Sequence, residues 1–128
     1  MPKYDILEFF ESCRTNQNAV IPFKQALDDA DHYFGLKTKT ALLDFIGNDG
    51  LEELEFINSK PWENNKDTTR VIWVDAYEFK SMCKLGYIAF MHNELTIKWL
   101  IKSFHLSENT SNAFAIALQK AGFRGGIR

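Results

Sequence analysis

The fold is decided by residues 70–104, RVIWVDAYEFKSMCKLGYIAFMHNELTIKWLIKSF, because this segment is rich in the β-branched and aromatic side chains that strands favour. It divides into three predicted strands, at residues 70–79, 86–91 and 95–104. His92-Asn93-Glu94 separates the second strand from the third and predicts a turn. Short connections join antiparallel strands, so the segment predicts an antiparallel meander.

Alternation in the third strand predicts which of its side chains enter the core. Successive residues of a strand point to opposite faces of the sheet. One set of alternate positions is apolar: Leu95, Ile97, Trp99 and Ile101. The other set includes Lys98 and Lys102, so we expect one face of the sheet to be core and the other to be partly exposed to water.

Helical patterns flank the strands on both sides. Apolar residues at a period near 3.6 predict helices over residues 4–13, 22–35 and 38–46. Residues 47–50, GNDG, are a turn signal, and residues 54–57 are too short to be assigned to a strand or a helix. Residues 113–121 predict a last helix. We therefore predict one α+β domain over residues 1–128, with N-terminal helices, an antiparallel sheet of three to four strands and a C-terminal helix.

Charge is divided unevenly along the chain. The 128 residues carry 15 Lys and Arg against 17 Asp and Glu, a net charge of −2. Residues 1–59 hold five basic against eleven acidic residues, whereas residues 60–128 hold ten against six. A nucleic-acid backbone would be repelled by the first part, so we expect any RNA site to lie in the second part.

The sequence lacks the motifs of several large functional classes. It has no phosphate-binding glycine loop, dinucleotide fingerprint, zinc-peptidase motif, nucleophile elbow or paired CxxC, so we expect neither a cofactor nor a bound metal. With no long apolar run and no export signal, the chain is expected to be cytoplasmic and without a membrane partner. Cys13 and Cys83 are expected to be buried, reduced thiols.

Few residues remain as candidates for acid–base or phosphate chemistry. Of the three histidines, His105 ends the last predicted strand directly after Lys102-Ser103-Phe104, at a sheet rim where side chains converge on substrates. Arg70, Lys98 and Lys102 are candidates for contacts with phosphate groups.

Short segments, taken in chain order, are similar to one known family: GL at residues 50–51, EFINS at 55–59, IWVDAY at 72–77, GY at 86–87 and KSF at 102–104. They resemble the MqsR branch of the RelE-like toxins, in which an IWQDVY segment follows a GL..DFYKS segment and the last strand ends in SFK. The resemblance spans about residues 23–105.

Members of this family are ribonucleases that cleave messenger RNA and are neutralised by a protein antitoxin. The resemblance implies a RelE-like fold, no DNA binding by the chain itself, and metal-free cleavage. One group would activate the ribose 2′-OH, another would protonate the leaving oxygen, and cations would stabilise the phosphorane. The residues implied as catalytic are Lys60, Tyr87 and His105, with Arg70, Lys98 and Lys102 at the substrate phosphates.

The chain departs from the family pattern at several functional positions. The family's lysine falls on Asn58, with Lys60 two residues later, and its glutamine falls on Val74. Its tyrosine falls near residues 89–90, with Tyr87 close by, and its terminal lysine becomes His105.

A second hypothesis is a non-enzymatic protein that binds another protein, such as an immunity protein that neutralises a toxin. Asp28, Asp29 and Asp31 lie close together on the second predicted helix. An acidic surface of this kind suits a basic protein partner.

Overall fold

A computed structural model of the chain describes residues 1–66 and 69–107. In these two ranges the elements are, in chain order, α1 (Ile6–Thr15), a 3₁₀ turn (Gln17–Ala19), β1 (Val20–Pro22), α2 (Lys24–Phe34), α3 (Lys39–Gly47), β2 (Glu52–Pro61), β3 (Trp73–Ser81), β4 (Lys84–Asn93) and β5 (Lys98–Leu106). The α+β class is confirmed, whereas the predicted layout is matched only in part. The C-terminal helix predicted at residues 113–121 lies outside the described residues.

The strands form one mixed sheet in the order β1-β5-β4-β3-β2. Strands β2 to β5 pair antiparallel with their neighbours in the chain, and β2 contains residues 54–57, which the sequence left unassigned. Strand β1 pairs parallel with β5, Val20 lying opposite Trp99. The prediction of a purely antiparallel sheet is therefore wrong at this edge, since three residues are too few to show an alternating pattern.

The sequence predicted that Pro22 begins a helix, whereas in the structure Pro22 ends strand β1. An edge strand has one side without a strand partner, so it tolerates a residue that has no N–H group. The N–H of Phe23 donates to the carbonyl of Ile101 at 2.9 Å, and α2 begins at Lys24. The fixed φ of proline suits both a strand and a first helical turn, so the sequence could not distinguish them.

The helix ends follow from local side-chain chemistry. The carboxylate of Asp5 accepts the N–H of Leu7 at 2.9 Å at the start of α1, and the Thr38 hydroxyl accepts the N–H of Ala41 at 3.0 Å at the start of α3. Each such cap contributes about 1 kcal/mol. Helix α2 ends at Gly35, whose φ of 70° is the left-handed conformation that glycine adopts without strain.

The turn between β4 and β5 lies later in the chain than predicted. It occupies residues 94–97, so Leu95 and Ile97 are 67% and 71% exposed and do not enter the core. Trp99 and Ile101 lie in β5 and are buried, as alternation predicted.

The helices cover one face of the sheet with an aromatic core. Phe9 of α1 stacks on Phe90 of β4 with ring centroids 4.2 Å apart, and Phe34 of α2 meets Phe104 of β5 edge-on at 5.2 Å. Full burial of an aromatic side chain of this kind contributes about 1.5–3 kcal/mol. This core covers one face of the sheet, and α1, α2 and α3 leave the opposite face uncovered.

None of the helices in the described residues is long and apolar enough to cross a membrane. Cys13 is buried as predicted, but Cys83 is exposed, because it lies in the turn between β3 and β4.

Candidate functional site

A cleft of about 180 Å³ lies on the sheet face opposite the helices. Val74 and Ala76 of β3 and Ala89 of β4 form its floor. Ala76 and Ala89 are 2% and 1% exposed, and alternation along β3 turns Ala76 away from its neighbour Tyr77, which belongs to the helix-side core. Because these floor side chains are short, the cleft reaches close to the sheet backbone. We call it the open-face cleft.

Three of the site residues predicted from the sequence line the open-face cleft. Lys60 comes from the end of β2, Tyr87 from β4 and Lys102 from β5. Within residues 1–66 and 69–107, neither lysine forms an ion pair. Glu63 lines the same cleft, so the two ammonium groups outnumber the one carboxylate there and create a positive potential that favours an anion.

A β-bulge in β5 decides which side chains face the cleft. Phe90 pairs with Ile101, whereas the preceding residue of β4, Ala89, pairs with Ser103, so Lys102 is an extra residue in the ladder. An extra residue reverses the alternation beyond it. Phe104 therefore enters the helix-side core, and His105 lies on the same face of the sheet as its cross-strand partner Tyr87.

Tyr87 and His105 stack on each other at one side of the cleft. They are cross-strand partners, with ring centroids 5.0 Å apart and planes 12° from parallel. His105 Nδ1 lies 2.6 Å from the carbonyl oxygen of Leu106. A carbonyl oxygen only accepts, so Nδ1 carries a proton and Nε2 is the nitrogen that can exchange one. Burial raises the pKa of the Tyr87 phenol, which therefore stays protonated at neutral pH and can donate a hydrogen bond.

Arg70 and Lys98 do not line the open-face cleft. Arg70 lines another hollow, together with Tyr4, His92 and Glu94. The Lys98 ammonium donates to the backbone carbonyl of Asn18 at 3.1 Å. The structure thus brings Lys60, Tyr87 and Lys102 together at the cleft but not these two cations. His105 does not line the cleft; it stacks on Tyr87 and lines a second hollow.

The three aspartates of α2 are engaged by neighbouring side chains. Asp28 pairs with Lys24 at 2.9 Å and Asp31 with Lys37 at 3.3 Å, while Asp29 accepts a hydrogen bond from Gln25 at 3.0 Å. Lysine partners reduce the negative charge that α2 offers to a protein. Asp29 also lines a hollow of about 160 Å³ that His105 and Tyr33 share.

Three residues that follow β2 also line the cleft, although the sequence selected none of them: Trp62, Glu63 and Asn64. The Trp62 indole packs near the Phe23 ring, with centroids 6.1 Å apart. Its Nε1 atom is buried and has no hydrogen-bond partner among the described residues. A lone tryptophan in an otherwise polar loop was the signal that could have identified this wall of the cleft. So large an apolar side chain in an exposed loop usually packs against another group.

Asn58, which occupies the position of the family's lysine, also lines the cleft. Its side chain is an amide and carries no charge. The cation at this edge is therefore Lys60, two residues further along β2.

In the part of the chain that the structure describes, no group of three or more His, Cys, Asp or Glu side chains is arranged to hold a metal ion. Comparison with known proteins finds no matching family model, no matching curated protein and no matching solved structure.

Proposed function

We propose that the chain is an endoribonuclease that cleaves messenger RNA at the open-face cleft, in the manner of RelE-like toxins. The observation that carries the proposal is the convergence of Lys60, Tyr87 and Lys102 on one cleft, with His105 stacked on Tyr87. These residues lie on three different strands. Two cations and a phenol around a small hollow, with an imidazole stacked on the phenol, are groups that phosphodiester cleavage uses.

The reaction proposed is attack of a ribose 2′-oxygen on the adjacent phosphorus. A P–O bond to the 2′-oxygen forms, the P–O bond to the 5′-oxygen breaks, and the products carry a 2′,3′-cyclic phosphate and a 5′-hydroxyl. The 2′-OH proton passes to the Glu63 carboxylate, which lines the cleft. The leaving 5′-oxygen takes a proton from Nε2 of the His105 imidazolium.

The remaining side chains act on the charge of the phosphorane. Lys60 and Lys102 neutralise its oxygens, and the protonated Tyr87 phenol donates a hydrogen bond to one of them. Val74, at the position of the family's glutamine, lies in the floor and contributes only shape. Under this proposal, a protein antitoxin would neutralise the chain by covering the cleft.

A cleavage assay on single-stranded RNA tests the proposal. We expect products ending in 2′,3′-cyclic phosphate, identified by mass, and no cleavage where the ribose before the scissile phosphate is 2′-deoxy. His105→Ala is expected to lower the rate by roughly 10²–10⁴-fold, the usual contribution of a positioned acid or base. Lys39→Ala, on α3 behind the sheet, is the matched control and should leave the rate unchanged. Cleavage that survives His105→Ala, or that proceeds at a 2′-deoxy position, would contradict the proposal.

A second candidate is a non-enzymatic protein-binding function, such as toxin neutralisation. It is favoured by the exposure of Asp28 and Asp31 on α2. Expression in a bacterium that lacks any partner gene separates the two candidates. Growth arrest that His105→Ala relieves supports the ribonuclease, whereas harmless accumulation of the parent chain supports the protein-binding function.

A further inference from the structure

Trp62 forms a wall of the open-face cleft. Its Nε1 atom is shielded from water and has no acceptor among residues 1–66 and 69–107. Because the cleft is open to water, the same shielding keeps this N–H out of reach of a ligand there, and Trp62 offers a ligand the surface of its ring. None of the proposed proton transfers or charge contacts involves Trp62.

The shape of the cleft suits a flat ring. Its floor is nearly level, because Ala76 and Ala89 lie side by side as paired residues of β3 and β4 and project only a methyl group each. Trp62 and Tyr87 supply aromatic surface at the cleft walls, and the Asn58 amide adds both a donor and an acceptor.

We infer that the open-face cleft holds one base of single-stranded RNA stacked against the ring of Trp62. This inference rests on the proposed function and adds a base-binding position to it. Every nucleobase offers a π-face, and single-stranded RNA exposes it. Lys60 and Lys102 at the same cleft suit the phosphates on either side of the base, which favours RNA over an uncharged peptide.

The experiment follows the indole N–H signal of Trp62 by ¹⁵N NMR in the full chain, with a short 2′-O-methyl RNA oligonucleotide as the probe. This probe cannot be cleaved, because its 2′-oxygen has no proton and is blocked, so binding is read without catalysis. The signal is assigned by its absence from Trp62→Phe. We expect it to shift on titration, while the signals of Trp73 and Trp99, which lie outside the cleft, stay in place.

Two variants test the contribution of the Trp62 ring. Trp62→Ala removes the ring, and we expect the dissociation constant to rise roughly tenfold or more, as loss of one stacked base does. Trp62→Phe keeps a smaller aromatic face, so its effect should be smaller. Ala76→Leu fills the floor with Trp62 intact and should also weaken binding, which keeps the test valid if Trp62→Ala fails to fold.

The outcomes separate this inference from the proposed reaction. A Trp62 shift that Ala76→Leu abolishes, in a chain that cleaves no RNA, supports the base site and contradicts the proposed chemistry. Cleavage with no Trp62 shift and unchanged affinity in the Trp62 variants overturns the base site alone. Equal binding of an oligonucleotide that lacks bases also overturns it. If no oligonucleotide binds, the inference is wrong, and a protein partner becomes the better candidate for the cleft.

Discussion

The carboxylate of Asp75 holds the N-terminal segment of the chain against the sheet. Asp75 lies fully buried in β3, where its carboxylate accepts the backbone N–H of Lys3 at 2.9 Å, that of Tyr4 at 3.0 Å, and the Ser59 hydroxyl. Tyr4 in turn donates its hydroxyl proton to the carbonyl of Trp73 at 2.7 Å. A buried carboxylate is stable only when donors surround it, and here the chain start provides two of them.

We predict that Asp75→Asn lowers the free energy of unfolding by about 2–3 kcal/mol, because the amide NH₂ replaces an acceptor and leaves a buried N–H unpaired. Urea unfolding followed by circular dichroism measures this change. Ser59→Ala is the comparison, since it removes one donor and leaves the carboxylate with its backbone partners. Equal stability of Asp75→Asn and the parent would show that the carboxylate does not hold the chain start.

The two thiols are predicted to differ in reactivity. Burial raises the pKa of Cys13 from its ordinary value of 9.0 to about 12, whereas Cys83 is exposed. The thiolate is the reactive form. Iodoacetamide at mildly alkaline pH should therefore alkylate Cys83 in the folded chain and both cysteines in denaturant, as counted by mass spectrometry. Labelling of folded Cys83→Ser would contradict the assigned burial of Cys13.

The same pKa shift predicts a loss of stability in alkali. The folded state holds the Cys13 proton more tightly than the unfolded state does, so this contribution is fully present below pH 9 and declines as the pH rises from 9.0 towards about 12. Denaturant midpoints measured across this pH range test the sign. A midpoint that rises with pH through this window would contradict it.

Among the elements, the turn between β3 and β4 is formed by residues that suit it poorly. Ser81 pairs with Lys84, so Met82 and Cys83 form a two-residue turn, and their φ angles are 54° and 61°. Two positive φ angles in succession are typical of a type I′ turn, which favours Asn-Gly. Side chains with a Cβ atom are strained in this region.

We predict that Met82→Asn combined with Cys83→Gly raises the free energy of unfolding by about 1–2 kcal/mol, by relieving this strain. Thermal or urea unfolding measures the change. The matched control is Met82→Ala with Cys83→Ala, which removes the same exposed side chains but keeps a Cβ atom at both positions. Equal stabilisation by both pairs would mean that side-chain exposure, and not backbone strain, is responsible.

This turn and the bulge in β5 show what the sequence could predict about the elements. Long periodic runs predicted the helices and the antiparallel strands, because their apolar faces are set by local spacing. The sequence left residues 80–85 as the connection between two strands but could not place a two-residue turn there, because Met82-Cys83 contains no turn residue. Strand β1 was missed because its partner lies in β5, far along the chain. Strict alternation would have put His105 on the same face as Ile101, and only the extra residue at Lys102 moves it to the sheet face that carries the cleft.

In the whole molecule, the uneven charge along the chain becomes a separation of charge between the two faces of the sheet. The acidic helices cover one face of the sheet, and the open-face cleft with Lys60 and Lys102 lies on the other. The net charge of −2 therefore describes neither face. Under the proposed function, an RNA strand would be repelled from the helices and attracted to the cleft, which would orient it before contact.

The separation of charge predicts a shallow salt dependence of RNA binding. Single-stranded RNA releases counterions with a slope of roughly −0.7 in log K against log salt for each phosphate that a cation neutralises, so the two cleft lysines predict roughly −1.4. Lys102→Ala should reduce the slope to roughly −0.7, whereas Lys39→Ala on α3 should leave it unchanged. Fluorescence anisotropy of a labelled 2′-O-methyl oligonucleotide across a salt series measures both slopes. A slope several times steeper would assign binding to many cations spread over the surface, and a slope that Lys102→Ala does not alter would remove this lysine from the RNA contact.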